Sequence, residues 1–251
     1  MSSKGKNHSD KSANTEIEMS FLEHLEELRW RIIYALIGIV IGTIIAWIFI
    51  DFFVDQILLL PAKTANLKLQ NLRPFGQLFI YFQVAIILGF IFSIPNVFLQ
   101  LWKFISPALK ESEKKYITAI VIFTTLCFLL GVIFAYFVML PMALKFAAQF
   151  GSAMIENNFS IDEYFSIILS VILGAGLVFE LPMLSFFLSK IGILTPKIMR
   201  KYRRHSIVAI LVFAAILTPG TDPVSQVILA IPLVILYEIS ILVSKIFQKK
   251  T

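Results

Sequence analysis

The sequence predicts an all-α membrane protein that crosses the bilayer six times. Three observations carry the prediction. Hydrophobic residues make up 58% of the 251, with 24 phenylalanines among them, which is outside the composition of soluble domains. These residues gather into six apolar runs, and helix is the structure that satisfies the backbone of such a run inside lipid. The positive charges then fall almost entirely on one side of the resulting topology.

Residues 1–19 are polar and too hydrophilic to fold alone, and they read as a disordered tail. Residues 20–247 read as one membrane domain, and 248–251 as a short C-terminal tail. Ser20 and Glu23 have the spacing of a capping box, in which each side chain satisfies a free backbone N–H at a helix start. Phe21, Leu25 and Leu28 share one face of the helix that follows, so a short amphipathic helix is expected on the membrane surface before the chain turns inward. The first span is Ile32 to Ile50, retained because Asp51 and Asp55 follow it rather than a cleavage site.

Asp51 to Arg73 is broken by Pro61, with Pro74 just beyond, and is expected to pack at the interface without spanning. The second span is Leu78 to Leu101, with Pro95 inside it. Ser106-Pro107 has the cap-and-proline signature of a short helix start. The third span, Tyr116 to Leu140, is expected to end at Pro141. Ser160 and Glu163 form a second capping-box spacing ahead of the fourth span, which runs without a positive charge to Ser189. Thr195-Pro196 has the same start signature as Ser106-Pro107. The fifth run, Ser206 to Leu217, has only 12 residues and so spans roughly 18 Å as a helix, short of the hydrocarbon thickness. The turn Thr218 to Pro223 offers Asp222 as a cap for the sixth run, Val224 to Val243, which contains Pro232 and Glu238.

Six spans place both termini on one side. The segments expected on that side carry 18 of the 22 Lys and Arg residues, leaving Lys63, Lys68, Arg73 and Lys145 opposite. By the positive-inside rule both termini are cytoplasmic. The formal charge of +6 is therefore topological, and nucleic acid is not an expected partner. Cys127 is the single cysteine, so no internal disulfide can form.

Two places call for chemistry. Glu180 lies inside the fourth apolar run, about 15 Å along the helix from Lys190, and Pro182 two residues on is expected to bend the helix. An acid there is either a protonated group hydrogen-bonded for packing or a functional group facing a wet cavity. At the cytoplasmic side, Glu27 and Glu113 stand among basic residues. They are either local ion pairs of little energetic weight or an acidic patch that grips a guanidinium.

The motifs then come together. His24-Leu-Glu-Glu-Leu-Arg29, the block from Pro95 through Gln100, Trp102, Phe104, Pro107 and Leu109 to Glu113, Ala135-Tyr-Phe137, Phe179-Glu180-x-Pro182, and Leu217-Thr-Pro219 leading to Asp222 and Ser225-Gln226 resemble the TatC subunit of the twin-arginine protein translocase. The resemblance runs in order from about Ser20 to Phe247. It implies a concave six-helix bundle whose last two helices are short, acting as a receptor and core component that exports folded proteins across an energised membrane. No cofactor is implied, transport being driven by the proton-motive force, and no enzymatic turnover. The implied signal-peptide site is Glu27 and Glu113 with Phe104 and Arg29, and the implied partner-docking residues inside the membrane are Glu180, Gln226 and Asp222. The implied partners are single-span subunits of the TatA and TatB type, folded precursors with twin-arginine signal peptides, membrane lipid and further copies of this chain. The implied location is the bacterial plasma membrane, with an organellar membrane also open. Two departures stand out: the turn before Asp222 is one residue longer than the common form, and Glu26 replaces a frequent apolar residue, so that it is a second acid able to share the work of Glu27.

Two other function classes can be weighed from the residues. A proton-coupled small-solute transporter would use Glu180 and Glu238 as proton carriers, but the chain has no repeated halves. An intramembrane hydrolase would need a motif such as H-E-x-x-H or G-x-S-x-G; neither occurs, and His8, His24 and His205 all lie outside the spans.

Overall fold

The computed structural model describes residues 21–106, 117–149, 158–217 and 223–247. Helix α1 (Phe21–Ile48) runs unbroken for 28 residues, about 42 Å. The expected surface helix and inward turn are therefore one straight-through element. No proline interrupts this stretch, and Leu, Glu, Arg, Ile and Ala sustain the backbone ladder across the expected boundary. Ser20, the cap expected for it, lies outside the described residues.

After α1 come α2 (Ile50–Phe52), a π-helical turn (Phe53–Leu58), α3 (Leu60–Thr64) and strand β1 (Lys68–Gln70). Ile50, Val54, Leu58 and Ala62, four residues apart, are all buried, so this segment packs rather than spans, as its prolines implied. Helix α4 (Gly76–Ile105) carries Pro95 within its 30 residues. The proposed start at Ser106-Pro107 falls where Pro107 is outside the described residues.

Helix α5 (Ile117–Phe134) passes through a second π-helical segment (Ala135–Met139) into α6 (Leu140–Gln149). Pro141 thus does not end the third span. It is the second residue of α6, directly after the π-helical segment, and the chain stays helical past it. Strand β2 (Asn158–Ser160) then pairs parallel with β1, Leu69 opposite Phe159. This two-stranded sheet was not expected. The next helix begins directly after Ser160, as expected, with Ser160 in the extended backbone usual for a cap, but its hydroxyl makes no capping hydrogen bond.

The fourth span is α7 (Ile161–Val178) followed by α8 (Leu181–Lys190). The interruption lies at Phe179 and Glu180, just ahead of the expected bend at Pro182, because Pro182 is accommodated in the first turn of α8. Gly192, at φ +84°, reverses the chain after α8 and lets Ile193 N–H reach the Leu188 carbonyl at 3.0 Å. Helix α9 (Pro196–Lys201) starts as predicted, with the Thr195 hydroxyl accepting from Ile198 N–H at 3.3 Å. Helix α10 (Arg203–Leu217) has 15 residues, about 22 Å, so the fifth run is short as expected. Helix α11 (Pro223–Phe247) has 25, so the last helix is longer than expected. Among the described residues five helical stretches are long and apolar enough to cross a membrane, ending with Leu229–Ile246 in α11; α10 is below that length.

The core is centred on α7, where Tyr164, Phe165, Ile168, Leu169, Val171, Ile172 and Ala175 are buried. Two tyrosines fasten the segment after α1 onto it. The Tyr164 hydroxyl donates to the Leu58 carbonyl at 2.7 Å and accepts from Ala62 N–H at 3.0 Å, and the Tyr136 hydroxyl donates to the Ile57 carbonyl at 2.8 Å. A buried backbone group left unpaired is costly, so these hydroxyls serve carbonyls next to an irregular turn. Helix α8 packs on α11 through buried serines, with Ser189 and Ser244 hydroxyls 2.6 Å apart.

Candidate functional site

Helices α1 and α4 lie against each other through small and polar residues. A Cβ on Gly42 would meet the Gly89 carbonyl, and one on Gly89 would meet the Thr43 backbone, so the two backbones approach as closely as glycine allows. Along the same seam the Ser93 hydroxyl donates to the Gly38 carbonyl at 2.5 Å and the Asn96 amide to the Tyr34 carbonyl at 3.0 Å. This seam brings the start of α1 beside the end of α4.

Glu27 sits at that junction. Its Oε1 accepts from Arg31 Nη2 at 2.9 Å and from Arg31 Nε at 3.3 Å, one turn along α1. Its Oε2 is buried with no hydrogen-bond partner among the described residues. Arg31 also donates through Nη1 to the Gln100 side-chain oxygen at 3.4 Å, and the Gln100 amide reaches the Asn96 side-chain oxygen at 3.4 Å. A chain of polar side chains thus leads from the Glu27 carboxylate across to α4. Phe104 stacks face to face on His24, with ring centres 4.4 Å apart and planes 15° from parallel, which pins the aromatic expected in the site to the first helix.

Arg29 and Glu26 are exposed, and the Arg29 guanidinium lies 6.0 Å from the Trp30 ring centre. The structure therefore turns Glu27 inward and leaves Glu26 and Arg29 outward. Glu113 lies outside the described residues. Sequence reasoning missed Arg31, Gln100 and Asn96 as members of this cluster. The available signal was a pair of amides four residues apart near the end of an otherwise apolar run.

Glu180 occupies the interruption between α7 and α8. Its N–H donates to the Leu177 carbonyl at 3.2 Å and its carbonyl accepts from Leu184 N–H at 2.8 Å, so the backbone is satisfied across the break. The side chain is half-buried beside Cys127 and Phe128 of α5, and its Oε1 is buried without a partner among the described residues. Here too glycine permits close approach: a Cβ on Gly131 of α5 would meet the Ala175 carbonyl of α7. Gln226, on α11, donates to the Leu211 carbonyl of α10 at 2.9 Å. Glu180 and Gln226 thus have different neighbours, α5 and α10. Asp222 lies outside the described residues. Glu238, the other acid in an apolar run, is paired with Arg203 at 2.6 Å.

Residues 23–232 match the family model described as Sec-independent protein translocase protein (TatC). The chain belongs to the TatC family. The Sec-independent protein translocase protein TatC of Carboxydothermus hydrogenoformans is 38% identical over 232 residues, covering 92% of this chain and 95% of its own. The TatC protein of Aquifex aeolicus is 38% identical over 236 residues, covering 92% and 97%. A crystal structure described as the twin-arginine translocase receptor TatC superposes with a TM-score of 0.82 at 38% identity, over 89% of this chain and 99% of that one. TatC membership makes this chain a multi-pass membrane component of the Sec-independent protein translocase, and its relatives are named for transport rather than catalysis. Of the residues that carried the resemblance to TatC, the structure places Glu27, Phe104, Glu180 and Gln226 and leaves Glu113 and Asp222 undescribed.

Proposed function

We propose that this chain is the receptor that binds twin-arginine signal peptides and forms the core of a translocase exporting folded proteins. The observation that carries the reading is that the half-buried Glu27 carboxylate already seats a guanidinium, that of Arg31. A carboxylate so oriented accepts charge-assisted bonds from a fork of N–H groups, which an ammonium cannot reproduce. In this reading Glu27 and Glu113 hold the paired arginines. Phe104, pinned by His24, supplies an aromatic face, and Arg29 stays at the rim. The proton-motive force drives transport, with no cofactor. Both termini are cytoplasmic, a placement supported by the distribution of Lys and Arg, and the membrane is the bacterial plasma membrane. The full chain should co-purify with a peptide carrying Arg-Arg and much less with its Lys-Lys counterpart. Equal recovery of the two would end the reading.

Glu180, Gln226 and Asp222 are the proposed contacts for single-span subunits of the TatA and TatB type, in a complex with more than one copy of this chain. The half-buried Glu180 carboxyl, with one oxygen unpartnered among the described residues, offers a bond to a polar group on a partner's membrane helix. Glu180→Gln keeps the hydrogen-bonding shape and removes ionisation, and Glu180→Ala removes both. Export and crosslinking from position 180 to a partner are expected to survive Gln and fail with Ala. Lost export with intact crosslinks in the Gln variant would instead make ionisation the requirement.

A further inference from the structure

We propose that Arg31 is a built-in competitor for the Glu27 carboxylate and that displacing it is what makes the site selective for arginine. The inference rests on the reading of Glu27 as part of the signal-peptide site and adds a residue to it. In the structure the hydrogen-bonding oxygen of Glu27 is already occupied. Oε1 is taken by two nitrogens of Arg31, at 2.9 and 3.3 Å, and Oε2 is buried. The Glu27 and Arg31 side chains are 18% and 27% exposed, so the pair is screened from bulk water more than a surface pair is.

An arriving guanidinium therefore cannot take over the two-nitrogen contact at Oε1 until Arg31 leaves it. Arg31 has a place to go. Its Nη1 already reaches the Gln100 oxygen at 3.4 Å, and Gln100 is itself held by Asn96, so rotation toward α4 keeps one polar partner. When the newcomer is an arginine, a two-nitrogen contact to the carboxylate is broken and a two-nitrogen contact is made. A lysine breaks the same contact and returns a point charge with no fork. The exchange is close to balanced for arginine and uphill for lysine. The discrimination thus belongs partly to the resting protein, before any ligand is bound.

The test measures peptide affinity by fluorescence anisotropy on the full chain in nanodiscs, with Arg-Arg and Lys-Lys versions of one signal peptide. In the Arg31→Gln variant both peptides should bind more tightly and the Lys-Lys peptide should gain more, narrowing the ratio of affinities by about tenfold. Arg31→Lys, which keeps the charge but loses the fork, should fall between the two. Gln100→Ala removes the refuge of Arg31 and leaves its charge, so it should weaken both peptides alike. An unchanged or widened ratio in Arg31→Gln, or weaker Arg-Arg binding there, overturns the proposal. If Arg31→Gln does not purify, the ratio in Arg31→Lys decides, and one equal to that of the unmodified chain counts against it. Binding of the Arg-Arg peptide that is indifferent to Glu27→Ala sinks the site reading itself, whereas Glu27-dependent binding with an unchanged ratio sinks the role of Arg31 alone.

Discussion

Replacing Glu27 and Glu113 together with alanine is expected to weaken binding of a twin-arginine peptide by about two to four orders of magnitude and to stop export. Each charge-assisted hydrogen bond contributes about 1.5–3 kcal/mol. Two acting on separate arginines sum to about 3–6 kcal/mol if independent, at tenfold in affinity per 1.4 kcal/mol. The Glu27 change has a second effect that the structure makes visible. It strands Arg31, whose guanidinium is then an unpaired positive charge facing the peptide's own arginines. Adding Arg31→Gln to the double variant should recover that repulsive part and leave the loss of contact. Charge-reversed peptides carrying acids should partly rescue Glu27→Arg. Signal-peptide crosslinking that is unaffected by the double alanine variant would remove both acids from the site.

Gly89→Leu is expected to be the most destabilising single change along the α1–α4 seam. Any Cβ at Gly89 meets the main chain of Thr43, which cannot rotate away as a side chain could, so the helices themselves must separate. Separation loosens the bonds from Asn96 to the Tyr34 carbonyl and from Ser93 to the Gly38 carbonyl, both of which depend on that spacing. Overpacking against rigid backbone costs about 1–3 kcal/mol and often more for a leucine, so the midpoint of thermal unfolding in detergent should fall clearly. Peptide binding should fall with it, because Glu27 is on one helix and Phe104 on the other. Gly192→Ala is the contrast. It meets nothing within 4 Å and has only its positive φ to contend with, so its cost is about 1 kcal/mol, with binding retained. Equal losses from the two glycine changes would mean that the seam does not position the site.

Much of the chain could be read without coordinates, and the misreadings share a cause. The Thr195 cap and the short fifth helix followed from local rules, because each depends on a few neighbouring residues. The end assigned at Pro141 was off, since the chain stays helical past it, whereas the bend expected at Pro182 is present just ahead of it; neither outcome follows from the proline alone. Whether a π-helical segment or a bend precedes it is decided by packing. At Ser160 the helix start was read correctly and only the capping bond was not, while the pairing of its strand with β1, about 90 residues earlier, had no local signal.

The sequence by itself determined the membrane class, the placement of the apolar helices and the identity of the acids, since hydropathy and charge act on each segment independently of its neighbours. Only the tertiary structure decided which groups those acids meet. Glu27 and Arg31 are one helical turn apart and easily suspected of pairing, but Gln100 is 69 residues from Arg31, and Tyr164 more than 100 from the carbonyl it serves. Such partners are chosen by how closely two helices approach, and that distance is set by glycines whose role appears only when the opposing backbone is in place.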